Sequence, residues 1–593
     1  MRRGARRLLT AYHFAFHPPP HIPLFSMSVI VGIDLGTTNS LIGVYDPQGP
    51  RLLPNALGAM LTPSVVSVDE EGRVLVGQAA RERLVTAPDG TVAAFKRWMG
   101  TDRVTRLAGR DFRPEELSAL VLKSLIADAE SALGTKVTEA VISVPAYFGD
   151  AQRKATRIAG ELAGITVERL INEPTAAALA YGLQERAAGG RFLVFDLGGG
   201  TFDVSILEMF DGVMEVHASA GDNFLGGEDF LHAIASACLQ DLGIDPAKLP
   251  SSERAQLLRR LEDLKCRVSD RPGEPHRVEF NLLGGARAWS LDEPRLAKLC
   301  EPLVQRLRAP LERAMRDAKL TPAQLDEIVL VGGASRMPLA ARLVSRMFGR
   351  LPLRHVNPDE AIARGAAVAA GMKARDEKLE EIILTDVCPH TLGTEVGREL
   401  EGGGIQNGLF SPIIPRNSTV PVSRVERYWP LRDGQTKMEL GVYQGESPRV
   451  VNNIKLGELV IELPPGKPRN QNGVDMRFTY DINGLLQVEA TLVATGEKHE
   501  LILQQNPGVL TPEEIGARLA ALAQLKVHPR DQQENIALIA RAERLYEELL
   551  WARDDVQNAI AQFQAALETQ EPETIRRCRK QFAELLDRIE AQP

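Results

Sequence analysis

Residues 194–207 read VFDLGGGTFDVSIL, two apolar runs joined through three consecutive glycines and bracketed by Asp196 and Asp203. Glycine weakens a strand interior, so Gly198, Gly199 and Gly200 mark a tight turn or a point where something approaches the backbone closely. The alternating run TFDVSIL makes the element strand, turn, strand, without the helix N-terminus that a dinucleotide fingerprint places after its glycines. Exposed N–H groups in such a turn form a donor array for phosphate, and Asp196, ending the first strand, is placed to hold a divalent metal through water. Read alone, the stretch is more often an ordinary hairpin with a glycine tip.

A second copy changes that balance. Residues 29–44, VIVGIDLGTTNSLIGV, again run strand, Asp-Leu-Gly, small residues, strand. Asp34 aligns with Asp196, Gly36 with Gly198, and Thr37 and Thr38 with Gly199 and Gly200. Two phosphate hairpins from two related halves would face each other across a cleft, giving a metal–nucleotide site between them.

With 593 residues the chain should hold several domains, and 44% hydrophobic with 25% charged residues is ordinary for a soluble protein. A net charge of −8 gives no reason to expect nucleic acid or an anionic membrane as partner. The five cysteines (Cys238, Cys266, Cys300, Cys388, Cys578) lack CxxC spacing, so neither a disulfide framework nor a zinc site is expected and a reducing cytoplasm fits. No apolar run is long enough for a transmembrane helix. Residues 1–27 carry an arginine-rich, acid-free stretch with a PPP and are read as a non-structural extension, with Met27 as the functional start.

The motifs IVGIDLGTTNS, VISVPAYFGDAQRKAT, LINEPTAAALAYG, VFDLGGGTFDVS, NFLGGEDF, LVGGASRMP and NPDEAIARGAAVAAG together resemble the ATPase domain of the seventy-kilodalton heat-shock chaperones of the DnaK type. The resemblance continues through TDVCPHTLG, NSTVPVSR, VYQGE and DINGLLQVEA, and so covers residues 29 to about 510. TDVCP, HASAGDNFLGGEDF and the short C-terminus look more like the bacterial HscC paralogue than DnaK itself. The implied organisation is a duplicated α/β actin-like ATPase domain over 28–376, a linker over 377–387, an all-β peptide-binding sandwich over 388–507 and a short α-helical lid over 508–593. The implied function is an ATP-dependent, cytoplasmic bacterial chaperone, acting as a monomer, that binds and releases unfolded polypeptide.

Phosphoryl transfer to water needs phosphate cradling, metal neutralisation and an aligned water. By resemblance, Asp34 and Asp196 hold Mg2+ through water, and Thr37, Thr38, Asn39 and Thr201 join the glycines around the phosphates of ATP or ADP. Lys96 points at the γ-phosphate and the attacking water, Glu173 places that water or accepts its proton, and Asp203 binds a monovalent cation such as K+ or aids the same step. Without the resemblance, Lys96 reads as solvent-exposed and Glu173 as a charge opening an Ala-rich helix. Gly226 and Gly227 also fall at the nucleotide. Glu262, Lys265 and Ser269 share one helix face and match the adenosine pocket with Gly332, Gly333, Ser335, Arg336 and Asp359. Arg336 is the adenine-stacking candidate, and Cys266 stands where several relatives carry arginine.

The apolar run IILTD can add as a strand to a domain edge in one nucleotide state and be released in another, with Thr385 interrupting the aliphatic pattern and weakening docking. In the sandwich, Thr394, Val396, Tyr428, Leu431, Met438, Leu440 and Val474 fall at peptide-groove positions, although alone most read as core. Gly397 is smaller, and Leu431 larger, than the DnaK pattern. Thr511, Pro512 and Glu514 form a helix start with a capping box. Pro145 and Arg153 match the family's proline switch and relay arginine, and Arg169, Asn172 and Asp386 match surface positions used by J-domain co-chaperones. The segment after Ser269 departs from DnaK, leaving use of a nucleotide exchange factor open. A sugar kinase or an actin-like filament protein would share the paired hairpins but would not need residues 388–593. A specialised regulator of one or few native clients keeps every feature.

Overall fold

In the computed structural model the glycine run forms the tip of an antiparallel hairpin, Gly190–Leu197 with Phe202–Phe210, in which Asp196 faces Asp203 across the ladder. The structure describes residues 29–182, 190–210, 213–353, 356–374, 379, 383–400, 404–501, 510–523, 526–527, 533–569 and 571–591; the extension assigned to 1–27 lies outside them. The matching hairpin, Ile30–Asp34 with Asn39–Asp46, heads a sheet continued by parallel strands Glu139–Val144 and Thr166–Asn172 on one side and by Gly49–Leu52 on the other. The second sheet repeats this order: Glu327–Val331 lies parallel to Gly190–Leu197, and Val213–Asp222 continues the meander. Each sheet packs its own apolar core. Between the two lobes lie two Ala-rich helices, Glu173–Ala180 and Ala361–Lys373. They cross so closely that a Cβ on Gly365 would lie 1.7 Å from the Ala176 carbonyl oxygen. Small residues are therefore what allow the lobes to share this hinge layer.

The strand Ile383–Val387 extends the second sheet, parallel to Val213–Asp222, and its last residues pair with Thr419–Val420. The linker is thus docked, and Thr385, expected to weaken that docking, donates its hydroxyl to the Met214 carbonyl at 3.3 Å. Beyond it, two four-stranded sheets form a sandwich. Strand Val474–Tyr480 shows why: Val474, Met476, Phe478 and Tyr480 alternate inward while the residues between them are more exposed, the period of two that a half-buried strand requires.

Helix Pro512–Ala523 begins with the expected capping box: Glu514 accepts the Thr511 N–H at 2.8 Å and donates its own N–H to the Thr511 hydroxyl at 3.2 Å. Helices Gln533–Glu548, Arg553–Glu568 and Pro572–Glu590 make a bundle around Leu545, Val556, Phe563, Phe582 and Leu586. The segment expected as a lid lies against the first lobe: Leu510, Ile515 and Leu522 enter that lobe's core, and Lys526–Val527 adds in parallel to strand Arg73–Val76. Among the described residues no helix is long and apolar enough to cross a membrane.

Candidate active site

The two hairpin tips touch. A Cβ on Gly199 would lie 2.0 Å from Thr38 Oγ1, and one on Gly200 would lie 2.7 Å from Arg97 Cγ and 2.8 Å from Thr37 Cγ2. None of the three glycines has a left-handed φ, so close approach is what demands Gly199 and Gly200, whereas a Cβ on Gly198 would make only ordinary contact with Thr201 at 3.7 Å. Behind the tip, a Cβ on Gly226 would meet the Gly199 carbonyl at 2.4 Å and the Gly200 nitrogen at 2.5 Å. From there helix Gly227–Asp241 starts, with the Gly227 and Glu228 N–H groups donating to the Gly198 and Gly199 carbonyls, both at 2.9 Å. A strand follows the glycines directly, as expected, and the helix N-terminus that abuts the turn is supplied from later in the chain. Because Gly226 meets backbone, no rotamer change can relieve a substitution. Gly226→Ala is expected to displace the tip and weaken ADP binding at least ~10-fold while leaving the melting of the separate sandwich unchanged; titration with a fluorescent ADP analogue checks it.

Around the tips, Asp34, Asp196, Asp203 and Glu173 are all buried and share one buried ammonium, Lys96, whose Nζ donates to Glu173 Oε1 at 2.7 Å. Lys96 lies in the short helical turn Phe95–Trp98 and over the Phe148 ring, so its solvent-exposed reading does not hold. Asp34 accepts the Ser143 hydroxyl at 2.8 Å, and Asp203 accepts the Tyr147 N–H at 2.9 Å. Burial, reinforced by the Glu173 charge, pushes the Asp34 and Asp203 carboxyls up to about 7. Burial and then the neighbouring Glu173, Asp203 and Asp34 charges hold Asp196 well above the ordinary range. Asp196 Oδ2 and Asp203 Oδ2 have no hydrogen-bond partner. Orphaned oxygens in an excess of negative charge suit bound cations. Among the described residues no cluster of His, Cys, Asp or Glu is arranged to ligate a metal directly; the buried carboxylate oxygens are themselves the hard donors that suit a divalent ion.

At the other end of the cleft, Lys265 Nζ donates to the Gly227 carbonyl at 3.2 Å and pairs with Glu262 at 2.7 Å, and the Ser269 hydroxyl donates to the Lys265 carbonyl at 2.8 Å. Gly332 carries a left-handed φ of 80°, Ser335 donates to its carbonyl at 2.7 Å, and a Cβ on Gly333 would collide with Asp359. Arg336, the stacking candidate, is held edge-on by Asp359 and Asn357 at 2.5 and 2.6 Å. Cys266 is exposed beside Glu262.

The sandwich meets this site around Arg153 and Tyr147. Arg153 is buried and donates to the Phe148 and Ala146 carbonyls, to Asn172 Oδ1 at 2.8 Å and to the Asn483 carbonyl at 3.3 Å. Asp150 accepts the Leu486 N–H at 3.0 Å, and Asn483 accepts that of Leu170 at 3.1 Å. Asp386 accepts the Thr175 hydroxyl at 3.1 Å. In this docked arrangement Asn172 is buried and Arg169 half-buried. Pro145 opens the turn that carries Tyr147, whose N–H reaches Asp203 and whose carbonyl meets His390 Nε2 at 3.0 Å. Sequence reasoning missed Tyr147, His390 and Asn483; the Asn-Gly turn was the one local signal for the last.

His390 packs on the Tyr147 ring, centroids 4.3 Å apart, and burial lowers its pKa to about 4. A depressed histidine favours the neutral form, so its contribution to docking is complete above the free value near 6.5 and is lost as pH falls from there toward 4. The loss is at most about 3 kcal/mol, less in proportion to the ring's residual exposure. Acidification from pH 7.5 to 5.5 is expected to weaken docking of the sandwich, read by distance-dependent fluorescence, and His390→Leu should reduce that dependence.

Of the proposed groove residues, Met438, Leu440 and Val474 lie in the sandwich core and Thr394 is fully buried, donating to the Gly441 carbonyl at 2.7 Å. Val396, Tyr428 and Leu431 are half-buried. A Cβ on Gly397 would lie 2.7 Å from Leu431 Cδ1; the small residue makes room for the large one.

The model of the Hsp70 protein family matches residues 30–591. Chaperone protein DnaK of Thermotoga neapolitana is 41% identical over 532 residues, covering 87% of this chain and 87% of the relative. The DnaK of Thermosipho africanus is 40% identical over 532 residues, covering 87% of this chain and 86% of its own. The paired hairpins, docked linker, sandwich and helical segment thus belong to a known architecture, and the chain is a member of the Hsp70 family of ATP-hydrolysing chaperones.

Proposed function

We propose that ATP bound between the paired hairpins controls the grip of the sandwich on unfolded polypeptide, through the loop that ties Arg153 and Tyr147 to Asn483 and His390. The observation carrying this reading is the continuous path from Asp203 through the Tyr147 N–H and carbonyl to His390 at the start of the sandwich. In the site, Thr37, Thr38, Thr201 and the glycine tips cradle phosphate, Lys96 is aimed by Glu173 toward the reacting end, and Glu173 is the group beside it able to take a proton. Asp34 and Asp196 would hold Mg2+ through water and Asp203 a cation such as K+, whose charge offsets that of the phosphates. The adenosine end falls to Glu262, Lys265, Ser269, Gly332, Gly333, Ser335, Arg336 and Asp359.

The finer assignment is the HscC type, supported by TDVCP, with Cys388 buried, and by HASAGDNFLGGEDF. A shortened lid should release peptide quickly from the ADP state. A J-domain partner would have to reach Arg169, Asn172 and Asp386 beside the docked sandwich. The comparisons lend no support to a dedicated regulator of one native client. Peptide stimulation of single-turnover hydrolysis tests the function: saturating unfolded peptide should accelerate it, and an unchanged rate would overturn the proposal.

A further inference from the structure

Two large aromatic side chains stand partly in water beside the glycine tips, one from each lobe: Trp98 is 36% exposed and Phe224 46%. Their rings meet with centroids 5.8 Å apart and planes tilted by 53°, within the range that aromatic pairs favour. Trp98 ends the turn Phe95–Trp98, and Phe95 and Met99 on either side of it are rooted in the first lobe's core. Phe224 precedes Leu225, which is rooted in the core of the second lobe. Each aromatic residue is also held from its own side. Arg103 lies over the Trp98 ring at 4.2 Å, while the Phe224 N–H donates to Asp222 Oδ1 at 2.9 Å and its carbonyl accepts Arg306 Nη2 at 3.1 Å.

Beneath the pair the wall continues inward. Arg97 Nη2 reaches both carboxylate oxygens of Asp229 at 3.1 Å, its guanidinium lies over the Phe224 ring at 5.9 Å, and its Cγ is the atom that a Cβ on Gly200 would meet at 2.7 Å. From the inside outward the order is therefore Gly200, Arg97, the two rings, water. The residue before Arg97 is Lys96, whose ammonium turns inward to Glu173, so a single turn of chain carries the buried lysine on one side and the aromatic contact on the other. With the cleft read as the nucleotide site, hydrolysis leaves inorganic phosphate at this end, while ADP is retained by the groups around Lys265 and Gly333 at the other. We propose that the Trp98–Phe224 pair is a gate for inorganic phosphate: it closes the way out past Arg97 and must part before phosphate leaves, and it sets the rate of phosphate release without setting that of ADP. The gate rests on the reading of the cleft as the ATP site with its reacting end at Lys96.

The test follows one turnover of full-length protein by two signals, acid quench of radiolabelled ATP for hydrolysis and a fluorescent phosphate-binding protein for free phosphate. A fluorescent ADP analogue, chased with unlabelled nucleotide, gives ADP release. In the wild type, free phosphate should lag behind hydrolysis. Trp98→Ala and Phe224→Ala should each speed phosphate release ~2–10-fold, while hydrolysis and ADP release stay within about two-fold of wild type. The double variant should match the larger single effect, because either substitution removes the same pair. Trp98→Phe keeps a ring and should stay near wild type. Both side chains are partly exposed, so one alanine variant carries the test if thermal melting shows that the other fails to fold. Acceleration below ~2-fold in either folded variant, or no lag in the wild type, would overturn the gate. So would slowed hydrolysis in the variants, which would make Trp98 a support for Lys96, and so would phosphate and ADP release speeding together, which would mean a general loosening of the cleft. A wild-type protein that binds no ADP analogue would instead overturn the reading of the cleft, and the gate with it.

Discussion

Lys96→Met is expected to lower single-turnover ATP hydrolysis ~10²–10³-fold, the usual cost of removing one preorganised charged donor from a site that acts by positioning and electrostatics. The loss should appear in the chemical step and leave ADP affinity little changed, because Lys96 is held by Glu173 at the end of the cleft proposed for the reaction, away from the end around Lys265 and Gly227 proposed for adenosine. The variant also leaves Glu173 buried without its ammonium partner, so thermal stability should fall as well. Quenched-flow hydrolysis beside ADP titration separates the two effects. A loss confined to ADP affinity would place Lys96 elsewhere in the cycle.

The second large effect is expected at Arg153. Its guanidinium joins the turn after Pro145, the hinge residue Asn172 and the sandwich loop at Asn483 in one buried cluster. Arg153→Ala leaves the carbonyls of Ala146, Phe148 and Asn483 without that donor and removes the only guanidinium described as reaching all three elements. ATP-driven acceleration of peptide release, ~5–150-fold for a coupling of ordinary size, should fall close to unity. Peptide affinity in ADP and the hydrolysis rate without peptide should stay near wild type. A merely structural defect would move all three quantities, so measuring peptide off-rates in both nucleotides alongside basal hydrolysis discriminates the two.

The paired hairpins of this fold were legible because their signals are local. A glycine run between alternating strands, repeated with its leading aspartate, needs no tertiary knowledge, and the capping box at Thr511 is likewise written within four residues. What the local pattern left out is long-range pairing. Asn483 meets Arg153 across 330 positions and Glu82 meets Arg544 across 462, and neither contact leaves a periodicity in the chain. Asn172 illustrates the same limit: it is buried against Arg153, which itself reaches the loop at Asn483. The lid was readable as helix but not in its place, since an amphipathic helix specifies an apolar face and not which surface covers it. Groove and core could not be separated in the sandwich for a related reason, as Met438, Leu440 and Val474 carry the same inward alternation as their neighbours.

If the docked linker and the Tyr147–His390 contact couple nucleotide to grip, the dissociation rate of a fluorescent unfolded peptide from the full-length protein must depend on the nucleotide bound. Release at least ~5-fold faster with ATP than with ADP is the expected result; equal rates in the two nucleotides would contradict the account, however active the ATPase.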